Sequence, residues 1–535
     1  MQLAADTSPT VGRSRLRMVC PSYPTFNIYS RPARVMTAMG PVSVATAVND
    51  MPGWDAEIVD ENNYHRGPLD EVGRPDHHAL QQARPADVVG LYGGLTSTIP
   101  RLIELAKFYK NLGAITITGG QHFVPQNVEH ALRNGVDVVV LGEGEQTITE
   151  LLDTLHQGGE LAKVKGIAFI DQADEVVITP ARELMTDFDR LPLPDFGLLR
   201  HARMKFYPVS GTRGCRMQCE FCSVKGTPRF ATAQRMLEQF ASIYETWGGT
   251  TFFVVDDLFG QNRSETLELC RMLRDYQKRV GVRFSITVQI RLDMARDEEL
   301  LTAMREAGVR LLAIGFESPI PDELEAMGKQ LRPEDMLELV KRYHNAGFRI
   351  HGMFIFGYPA QPGSSFYMDA DQRVRHFRRF IRKAKLATVQ VLLPIPIIGT
   401  KLYERLDAEN RIFSTEQIGL EYYDGNFPVS QPDAPLTPES IQAAAQQIMG
   451  YLYRPTALFK IGMNLLAFPA LVFHLHRIQD GWHKWNRRWL TNLYRAGGWV
   501  VQRQWAAAFR EDEFLQRLEW AKRQLGNSGP KTNAQ

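Results

Sequence analysis

Three cysteines stand close together in a sequence that has only five. They occur in GTRGCRMQCEFCSVKG, residues 211–226, where Cys215, Cys219 and Cys222 have the spacing C-x3-C-x2-C. Thiolates bind soft metals such as zinc, copper(I) and the irons of iron–sulfur clusters. A structural zinc site takes four ligands, often as two cysteine pairs, and no second pair is present. Three thiolates without a fourth indicate a metal or cluster that keeps one position open for a substrate.

The other two cysteines, Cys20 and Cys270, lie far from this group in sequence. An odd, clustered set in a long chain argues against a disulfide framework. The first residues lack the apolar run of a signal peptide, so we expect a cytoplasmic protein. With 535 residues, a net charge of +2 and 44% hydrophobic residues, the chain has the composition of a globular protein of about three domains that does not bind nucleic acid.

Residues 14–170 alternate strand-like and helix-like segments, which predicts a parallel, doubly wound sheet of the Rossmann type. Ligands of such sheets bind beyond the carboxyl ends of the strands. Three glycine turns, YGGLTST, TGGQHF and LGEGEQT, are expected to gather at that edge. Glycine there lets backbone approach a ligand closely, although the same glycines also suit tight turns without a ligand.

Residues 171–204 contain LPLPDFGLL and are predicted to be a linker. Residues 205–430 repeat the strand–helix pattern six times, which predicts a partial (β/α)6 barrel. Functional residues of such barrels cluster at the carboxyl ends of the strands. The cysteine motif directly follows the first of these strands, so it stands where chemistry is expected.

Residues 431–535 are predicted to be a helical C-terminal region rich in Trp and Arg. Six of the eight tryptophans lie here, and the stretch from Arg454 to Arg510 contains nine Lys or Arg but only one acidic residue. The stretch TALFKIGMNLLAFPALVFHLHRI is apolar but interrupted by Lys460 and Pro469, so a spanning helix is not expected. Two interpretations stay open: a peripheral membrane contact, or a helical cap on the barrel. The first would suit a hydrophobic substrate.

The C-x3-C-x2-C loop after the first barrel strand resembles the signature of the radical S-adenosylmethionine (SAM) enzymes. The resemblance implies that Cys215, Cys219 and Cys222 ligate a [4Fe-4S] cluster whose open iron binds the methionine part of SAM. Electron transfer, from a donor such as flavodoxin or ferredoxin, would then cleave SAM to a 5′-deoxyadenosyl radical.

The same resemblance implies SAM contacts at several strand ends. Phe221, before the last cysteine, would pack near the adenine. Asp256 and Asp257 in VVDDLF would contact SAM or substrate, or else only cap the next helix.

Later strand ends complete this set. Arg291 in VQIRLD would pair with the SAM carboxylate, since a guanidinium matches carboxylate geometry. Glu317 and Ser318 in AIGFES resemble the segment that holds the SAM ribose, and FIFGYP resembles the turn near the adenine.

The N-terminal domain resembles the cobalamin-binding domain of B12-dependent radical SAM enzymes. The contacts that this resemblance implies are Gly93, Gly94, Thr96, Gly119, Gly120, Gly142, Glu143 and Gly144. The D-x-H-x-x-G motif that ligates cobalt is absent, because the corresponding stretch is PSYPTFNIYS, which we expect near the corrin. His122 is interpreted as a loop contact. A domain that binds no cobalamin, or that contacts substrate, is the alternative.

The sequence therefore predicts a radical SAM enzyme that functionalises an unactivated carbon of a small molecule, with methyl transfer from methylcobalamin as the leading reaction. The alternative is radical oxidation, cyclisation, rearrangement or carbon–carbon coupling of a lipid- or isoprenoid-like substrate without that transfer. A non-catalytic iron–sulfur redox sensor is a third hypothesis. No catalytic residue beyond the cofactor contacts is assigned.

Overall fold

The computed structural model describes residues 13–224, 226–329, 331–466, 479–508 and 512–527. It contains an N-terminal α/β unit, a six-stranded partial barrel and a helical C-terminal region. The predicted fold class is confirmed. Within the described residues, no helix has both the length and the apolar character needed to cross a bilayer.

The first sheet has eight strands in the order β7-β6-β5-β4-β3-β1-β2-β8. The strands are β1 Ser14–Cys20, β2 Trp54–Asp60, β3 Val88–Tyr92, β4 Ile115–Gly119, β5 Val138–Val140, β6 Ile167–Ile170, β7 Val176–Ile178 and β8 Leu199–Arg200. Strands β1 to β5 and β8 run parallel, whereas β6 and β7 pair antiparallel at one edge. The segment 171–204 is thus more than the expected linker, because β7 and β8 extend this sheet.

Helices cover both faces of the first sheet, as expected of a doubly wound unit. They are α1 Met39–Asn49, α2 His77–Ala83, α3 Ile99–Asn111, α4 Val128–Leu132 and α5 Gly144–His156. Apolar residues of α1 and α5 pack on one face, and those of α3 and α4 pack on the other. The chain reverses its direction of winding between β1 and β3, so the ligand crevice is expected at their carboxyl ends.

The second sheet is a parallel ladder in the order β16-β15-β14-β13-β12-β9. Its strands are β9 Tyr207–Val209, β12 Thr251–Val254, β13 Ser285–Gln289, β14 Val309–Glu317, β15 Arg349–Ile355 and β16 Thr388–Leu392. A separate antiparallel hairpin joins β10 Thr212–Arg213 to β11 Arg229–Phe230. The edge strands β9 and β16 do not pair with each other, which leaves the barrel incomplete.

Helices on the outside of the barrel alternate with its strands. They are α6 Ala233–Trp247, α7 Arg263–Val280, α8 Glu298–Glu306, α9 Pro321–Ala326, α10 Pro333–Asn345 and α11 Ala370–Ala384. Asn262 caps α7 by accepting the Glu265 N–H. Neither Asp256 nor Asp257 therefore serves as that cap, which was one interpretation of their position.

The C-terminal region is helical, as expected. After the last barrel strand come two short helices, α12 Lys401–Ala408 and α13 Thr415–Ile418. The helices of residues 431–535 are α14 Pro438–Leu452, α15 Thr456–Leu466, α16 Gln479–Ala508 and α17 Asp512–Asn527. Helix α17 returns to pack on residues 413–429 and on Phe26 of the first unit. Trp505 is buried, as a cap predicts, but the apolar stretch 467–478 and the Trp482 and Trp485 side chains lie outside the described residues.

Candidate functional site

The three clustered cysteines lie on one loop at the carboxyl end of β9. The β10–β11 hairpin closes the base of this cysteine loop, residues 212–230. The three thiols are free and partly exposed, whereas Cys20 and Cys270 are buried. Burial raises the pKa of the Cys219 and Cys222 thiols above the usual value of 9.0. Because the thiolate is the form that binds metal, a bound cation would be needed to stabilise it here.

Two neighbouring aspartates bind the start of the cysteine loop. Asp256 Oδ1 accepts the N–H groups of Gly211 at 2.7 Å and Thr212 at 2.9 Å. Asp257 Oδ2 accepts the Gly214 N–H at 2.8 Å and also faces the cavity described below. Burial raises the pKa of Asp256 to about 6, and the backbone donors oppose that shift. The buried Asp256 carboxylate therefore positions the loop, and its expected contact with SAM or substrate stays a prediction.

Glu220, between Cys219 and Phe221, fixes the middle of the loop. Its carboxylate accepts Arg405 Nε–H at 2.7 Å and Nη2–H at 3.0 Å, and the Tyr358 hydroxyl donates to it at 2.7 Å. The Phe221 ring meets the Tyr358 ring edge-on at 6.1 Å. This clamp joins the cluster loop to the end of β15 and to α12. Sequence reasoning missed it, because Arg405 lies 185 residues from Glu220.

Glu317, predicted to contact the SAM ribose, ends β14 in a left-handed conformation with φ of 61°. Such a conformation is uncommon for a non-glycine residue and marks local strain. Lys329 Nζ lies 3.1 Å from Glu317 Oε1. Burial lowers the pKa of Lys329, but Glu317 and Cys219 outweigh this and raise it overall. A partly buried ammonium near Cys219 suits a carboxylate-bearing ligand such as SAM, and sequence reasoning had not singled it out.

Two other predicted SAM contacts are already engaged within the chain. The fully buried Ser318 hydroxyl donates to Glu323, which pairs with Arg373. Arg291 binds both carboxylate oxygens of Asp293, at 2.9 and 2.6 Å. The structure thus gives Ser318 a place in an internal network, and a SAM carboxylate would have to compete with Asp293 for Arg291.

A cavity of about 760 Å³ lies between the carboxyl edges of the two sheets. One wall is formed by the glycine turns after β4 and β5, and the other includes Gly214, Ser223 and Val224 of the cysteine loop. We call it the interdomain cavity. The predicted cobalamin side and the predicted cluster side therefore open into one space.

The residues predicted to contact cobalamin divide into two groups. Those that line the interdomain cavity are Gly119, Gly120, Gly142, Glu143 and Gly144. Those that do not are Gly93, Gly94 and Thr96. Gly93 N–H instead donates to Gly119 O at 2.7 Å, and Thr96 Oγ1 lies 3.0 Å from His122 Nδ1. The turn after β3 thus supports the turn after β4 from behind.

An apolar slot extends the interdomain cavity into the first domain, between the sheet and helices α1 and α5. Met18, Val44, Gly90, Ile117 and Ile148 line it. A Cβ at Gly90 would lie 2.2 Å from Met18 Sδ, so a side chain there would force Met18 to move. The slot has room for a less polar part of a large ligand such as cobalamin.

Ion pairs join the two domains across the cavity. Arg229 Nη2 lies 2.7 Å from Glu143 Oε1, and Arg213 Nη2 lies 2.5 Å from Glu145 Oε1. Both guanidinium groups also lie against the Phe188 ring, with the Cζ of Arg213 5.0 Å and that of Arg229 5.4 Å from the ring centre. Burial raises the pKa of Glu143, but the two arginines lower it by more. Glu143 therefore fixes the position of the cysteine hairpin, whether or not it also contacts a ligand.

The stretch PSYPTFNIYS, residues 21–30, contacts the end of the barrel. None of its residues lines the interdomain cavity as the structure describes it. Phe26 stacks on Tyr422 at 5.1 Å, and Asn27 Nδ2–H donates to Asp424 at 3.2 Å. The loop reaches the end of the barrel, where the Phe26 ring packs on Tyr422 and Phe427. The expected position of this stretch near the corrin stays a prediction.

The residues present fit both expected groups. Among the described residues, no three Cys, His, Asp or Glu side chains come together as a site for a single ion. In a four-iron cluster the thiolates need not converge on one ion, because each binds its own iron. For cobalamin, the glycine turns border open space: Gly142 lines the cavity, and nothing lies within 4 Å of a Cβ built there.

Family models match both halves of the chain. The radical SAM superfamily model matches residues 209–372, which include the cysteine loop and most of the barrel. The B12 binding domain model matches residues 31–152. The chain is a radical SAM protein with an N-terminal B12-binding domain. The [4Fe-4S] cluster, SAM and cobalamin are accordingly its cofactors.

Relatives support the same combination. An uncharacterised methyltransferase of Pyrococcus horikoshii is 28% identical over 343 residues, covering 61% of this chain and 71% of its own length. The hopanoid C-2 methylase of Rhodopseudomonas palustris is 28% identical over 320 residues, covering 58% of this chain and 57% of the relative. The solved structure of the cobalamin-dependent SAM radical enzyme OxsB, with aqua-cobalamin and SAM bound, superposes with a TM-score of 0.62 at 13% identity. It covers 97% of this chain and 84% of that one. That likeness shows the fold.

Proposed function

We propose that this radical SAM B12 protein is a methyltransferase that acts in the cytoplasm on an unactivated carbon of a small molecule. When bound, the cluster and SAM supply the carbon radical and cobalamin supplies the methyl group. The observation that carries the proposal is the interdomain cavity, which the cysteine loop and the glycine turns line from opposite sides. Both groups must reach the same substrate carbon, and one shared space permits that.

The chain's own residues position these partners. Cys215, Cys219 and Cys222 hold the cluster, and Glu220 and Asp257 hold the loop that bears them. Lys329 and Glu317 form the polar wall beside Cys219 that would receive SAM. The Arg213 and Arg229 ion pairs keep the two domains facing each other. The chain thus contributes binding, orientation and exclusion of water.

The test is anaerobic reconstitution with iron, sulfide and hydroxocobalamin, followed by desalting. We expect about four irons and one cobalt per chain, and release of 5′-deoxyadenosine when SAM and a reductant are added. If the protein binds iron and cleaves SAM but retains no cobalt, methyl transfer is refuted. The alternative of radical oxidation, cyclisation, rearrangement or coupling is then favoured. A cluster without SAM cleavage would favour the redox sensor.

We also propose that the substrate is hydrophobic and that the protein meets it at a membrane surface. Helix α15 exposes Leu458, Phe459 and Met463, and Phe459 is 71% exposed. Arg454 and Lys460 beside them are exposed too. Apolar side chains flanked by cations suit the interface of an anionic bilayer.

Vesicle flotation tests this contact. We expect the protein to bind vesicles of phosphatidylcholine and phosphatidylglycerol more than vesicles of phosphatidylcholine alone. Phe459→Glu should abolish the difference. Val72→Glu is the matched control, because Val72 is 73% exposed on the first domain. Equal loss in both variants would argue against a specific surface at α15.

A further inference from the structure

Four arginines lie near one another at the amino-terminal end of the barrel, opposite the edge that carries the cysteine loop. They are Arg283, before β13, Arg305, in the last turn of α8, and Arg310 and Arg349, at the starts of β14 and β15. We call these four residues the arginine patch. The cofactor residues lie at the carboxyl ends of the same strands, so the proposed methyl transfer gives the arginine patch no role.

Two guanidinium groups of the arginine patch share one acceptor. Arg305 Nη1–H donates to Val309 O at 3.2 Å, and Arg310 Nη1–H donates to the same oxygen at 3.1 Å. Arg310 also donates to Arg305 O, at 2.7 Å. One cation at the end of α8 would stabilise the last carbonyl groups of that helix. A second cation beside it adds repulsion between like charges, so capping of the helix does not explain both.

A register shift in the barrel sheet places Arg310 in this position. Two consecutive residues of β13 lie opposite Val309 and Leu311 of β14, so Arg310 between them is the extra residue. Such a bulge changes the direction of a side chain at the expense of regular strand pairing. Arg349, which starts β15, pairs with Leu311 next to the bulge. The irregular strand thus brings a further arginine to an end of the barrel that already carries others.

Three of the four arginines carry charge that the described residues leave unbalanced. Arg283, Arg310 and Arg349 form no ion pair with a carboxylate in the part of the chain that the structure describes. Burial, and then the positive charges of the other three arginines, lower the pKa of Arg310 to about 10. Arg310 is still protonated at pH 7, so the guanidinium groups repel one another. A partly buried charge without a counter-ion is unfavourable, and a bound anion would compensate it.

Neighbouring groups hold two of the guanidinium groups in place. Arg349 Cζ lies 5.3 Å from the centre of the Tyr494 ring of α16. Arg305 Cζ lies 5.6 Å from the centre of the Phe348 ring, and a Cβ at the adjoining Gly347 would lie 3.3 Å from Arg305 Nε. A planar guanidinium matches the oxygens of a phosphate group, and one phosphate can accept hydrogen bonds from several arginines.

We propose that the arginine patch binds a phosphate group, carried either by a lipid headgroup or by a free phosphate compound. The phosphate would lie between cations that otherwise repel one another, which is the source of its affinity. The inference goes beyond the proposed function and does not depend on it, because the arginine patch and the cofactor residues lie at opposite ends of the barrel.

Glycerol 3-phosphate and glycerol are matched probes, since they differ only in the phosphate. Calorimetric titration of the reconstituted protein at constant ionic strength should show binding of glycerol 3-phosphate and none of glycerol. The double variant Arg310→Gln/Arg349→Gln should bind glycerol 3-phosphate at least about tenfold more weakly, because it loses charged hydrogen bonds to the anion. The control Arg133→Gln/Arg271→Gln removes the same charge from exposed arginines that pair with acidic side chains, and it should bind as the unaltered protein does.

Vesicle flotation distinguishes the two sources of phosphate. Weaker binding of the Arg310→Gln/Arg349→Gln variant than of the control to vesicles that contain phosphatidylglycerol would identify a lipid headgroup. Equal flotation, with weaker binding of glycerol 3-phosphate, would identify a free compound. If neither measurement separates the double variant from the control, the proposal is overturned. Unchanged iron content and a cooperative melting transition check that the variant is folded, and Arg283→Gln, at an exposed arginine, replaces it if it is not.

Discussion

The two walls of the interdomain cavity are built by different physical means. On the barrel side, charged side chains hold the cysteine loop: Asp256 binds its start, and Glu220 pairs with Arg405 in its middle. On the first-domain side, backbone packs against backbone, and Gly93 and Gly120 approach too closely for a Cβ. The barrel wall is stabilised by ion pairs and hydrogen bonds. The glycine wall is formed by close backbone packing, which is possible because the residues there have no side chains.

The difference follows from what each wall would hold. A cluster is bound through three donor atoms whose loop has to keep its geometry when the metal is absent. A large cofactor held mainly by shape needs room, and room is provided by glycine. We therefore expect cofactor binding at the barrel wall to suffer when side-chain atoms are removed. We expect cofactor binding at the glycine wall to suffer when side-chain atoms are added.

The largest expected effect is removal of a donor on the barrel wall. Cys219→Ala should lose the iron, the four-iron absorption and SAM cleavage completely, because no spare thiol lies on the loop. Retained cobalt would show that the first domain remains folded. Cys270→Ala, in the core of α7, is the control and should keep both iron and activity. Loss of the cluster in that control would refute the three-ligand model.

The matching test on the glycine wall adds one methyl group. Gly120 has φ of +124° and a Cβ there would meet Gly93 O at 2.6 Å, so Gly120→Ala should displace the turn and sharply reduce cobalt retention. Gly113→Ala, after α3 and outside the cavity lining, has a similar backbone penalty of about 1 kcal/mol, but nothing lies within 4 Å of its added Cβ. It should retain more cobalt, and equal losses would reject the close-approach explanation. Iron content should stay unchanged in both.

Loss of the Glu220–Arg405 clamp should have an intermediate effect on the stability of the bound cluster. Arg405→Ala leaves the Glu220 carboxylate, whose side chain is 12% exposed, without its ion-pair partner. Loss of one partner from a largely buried pair costs about 3 kcal/mol. We expect faster iron release from the reconstituted protein under chelator. Arg263→Ala breaks an exposed pair with Asp297 and should have little effect. Equal release rates would show that the clamp does not hold the loop.

Sequence reasoning succeeded where the chemistry was local. The cysteine triad, the six barrel strands and the glycine turns could be found because each is written in consecutive residues. The Glu220–Arg405 clamp could not, since its partners meet only through the fold. The packing of Phe26 in PSYPTFNIYS on Tyr422 could not be predicted for the same reason, because Tyr422 is about 400 residues away in the chain.

The partial success at the strand ends has a similar cause. Position at a strand end predicted that Asp256 would reach the functional edge of the barrel, but not that its carboxylate would bind backbone N–H groups. Ser318 likewise lies at a strand end, yet its hydroxyl bonds to Glu323. A sequence shows which residues reach the edge of a sheet, and packing decides which of them face the ligand.

A smaller effect is expected beside Cys219. Lys329→Met removes the ammonium that pairs with Glu317 and should weaken SAM binding by about 10- to 150-fold, the equivalent of a lost charged hydrogen bond. Iron content should not change. Glu317→Ala should weaken SAM binding in the same direction, and the double variant should lose less than the sum if the two residues act together. Unchanged affinity in both single variants would remove this pair from the SAM site.

The smallest effect concerns the proton on Asp256, and it would be seen in stability alone. Burial raises its pKa from 3.8 to about 6 in the folded protein. Below about pH 4 the carboxyl is protonated in both states. Between about pH 4 and 6 the unfolded chain releases this proton while the folded chain retains it, so the stability falls as the pH rises. Above about pH 6 the loss of stability is constant, at about 3 kcal/mol.

Asp256→Asn does not titrate, and its Oδ1 still accepts the Gly211 and Thr212 N–H groups. The melting temperature of this variant relative to the unaltered protein should therefore rise by a few degrees from about pH 4 to about pH 7. Asp60 and Asp424, whose pKa values are also raised, are common to both proteins and cancel in the difference. Parallel melting curves across this range would show that Asp256 is ionised in the folded protein and that its backbone bonds outweigh its burial.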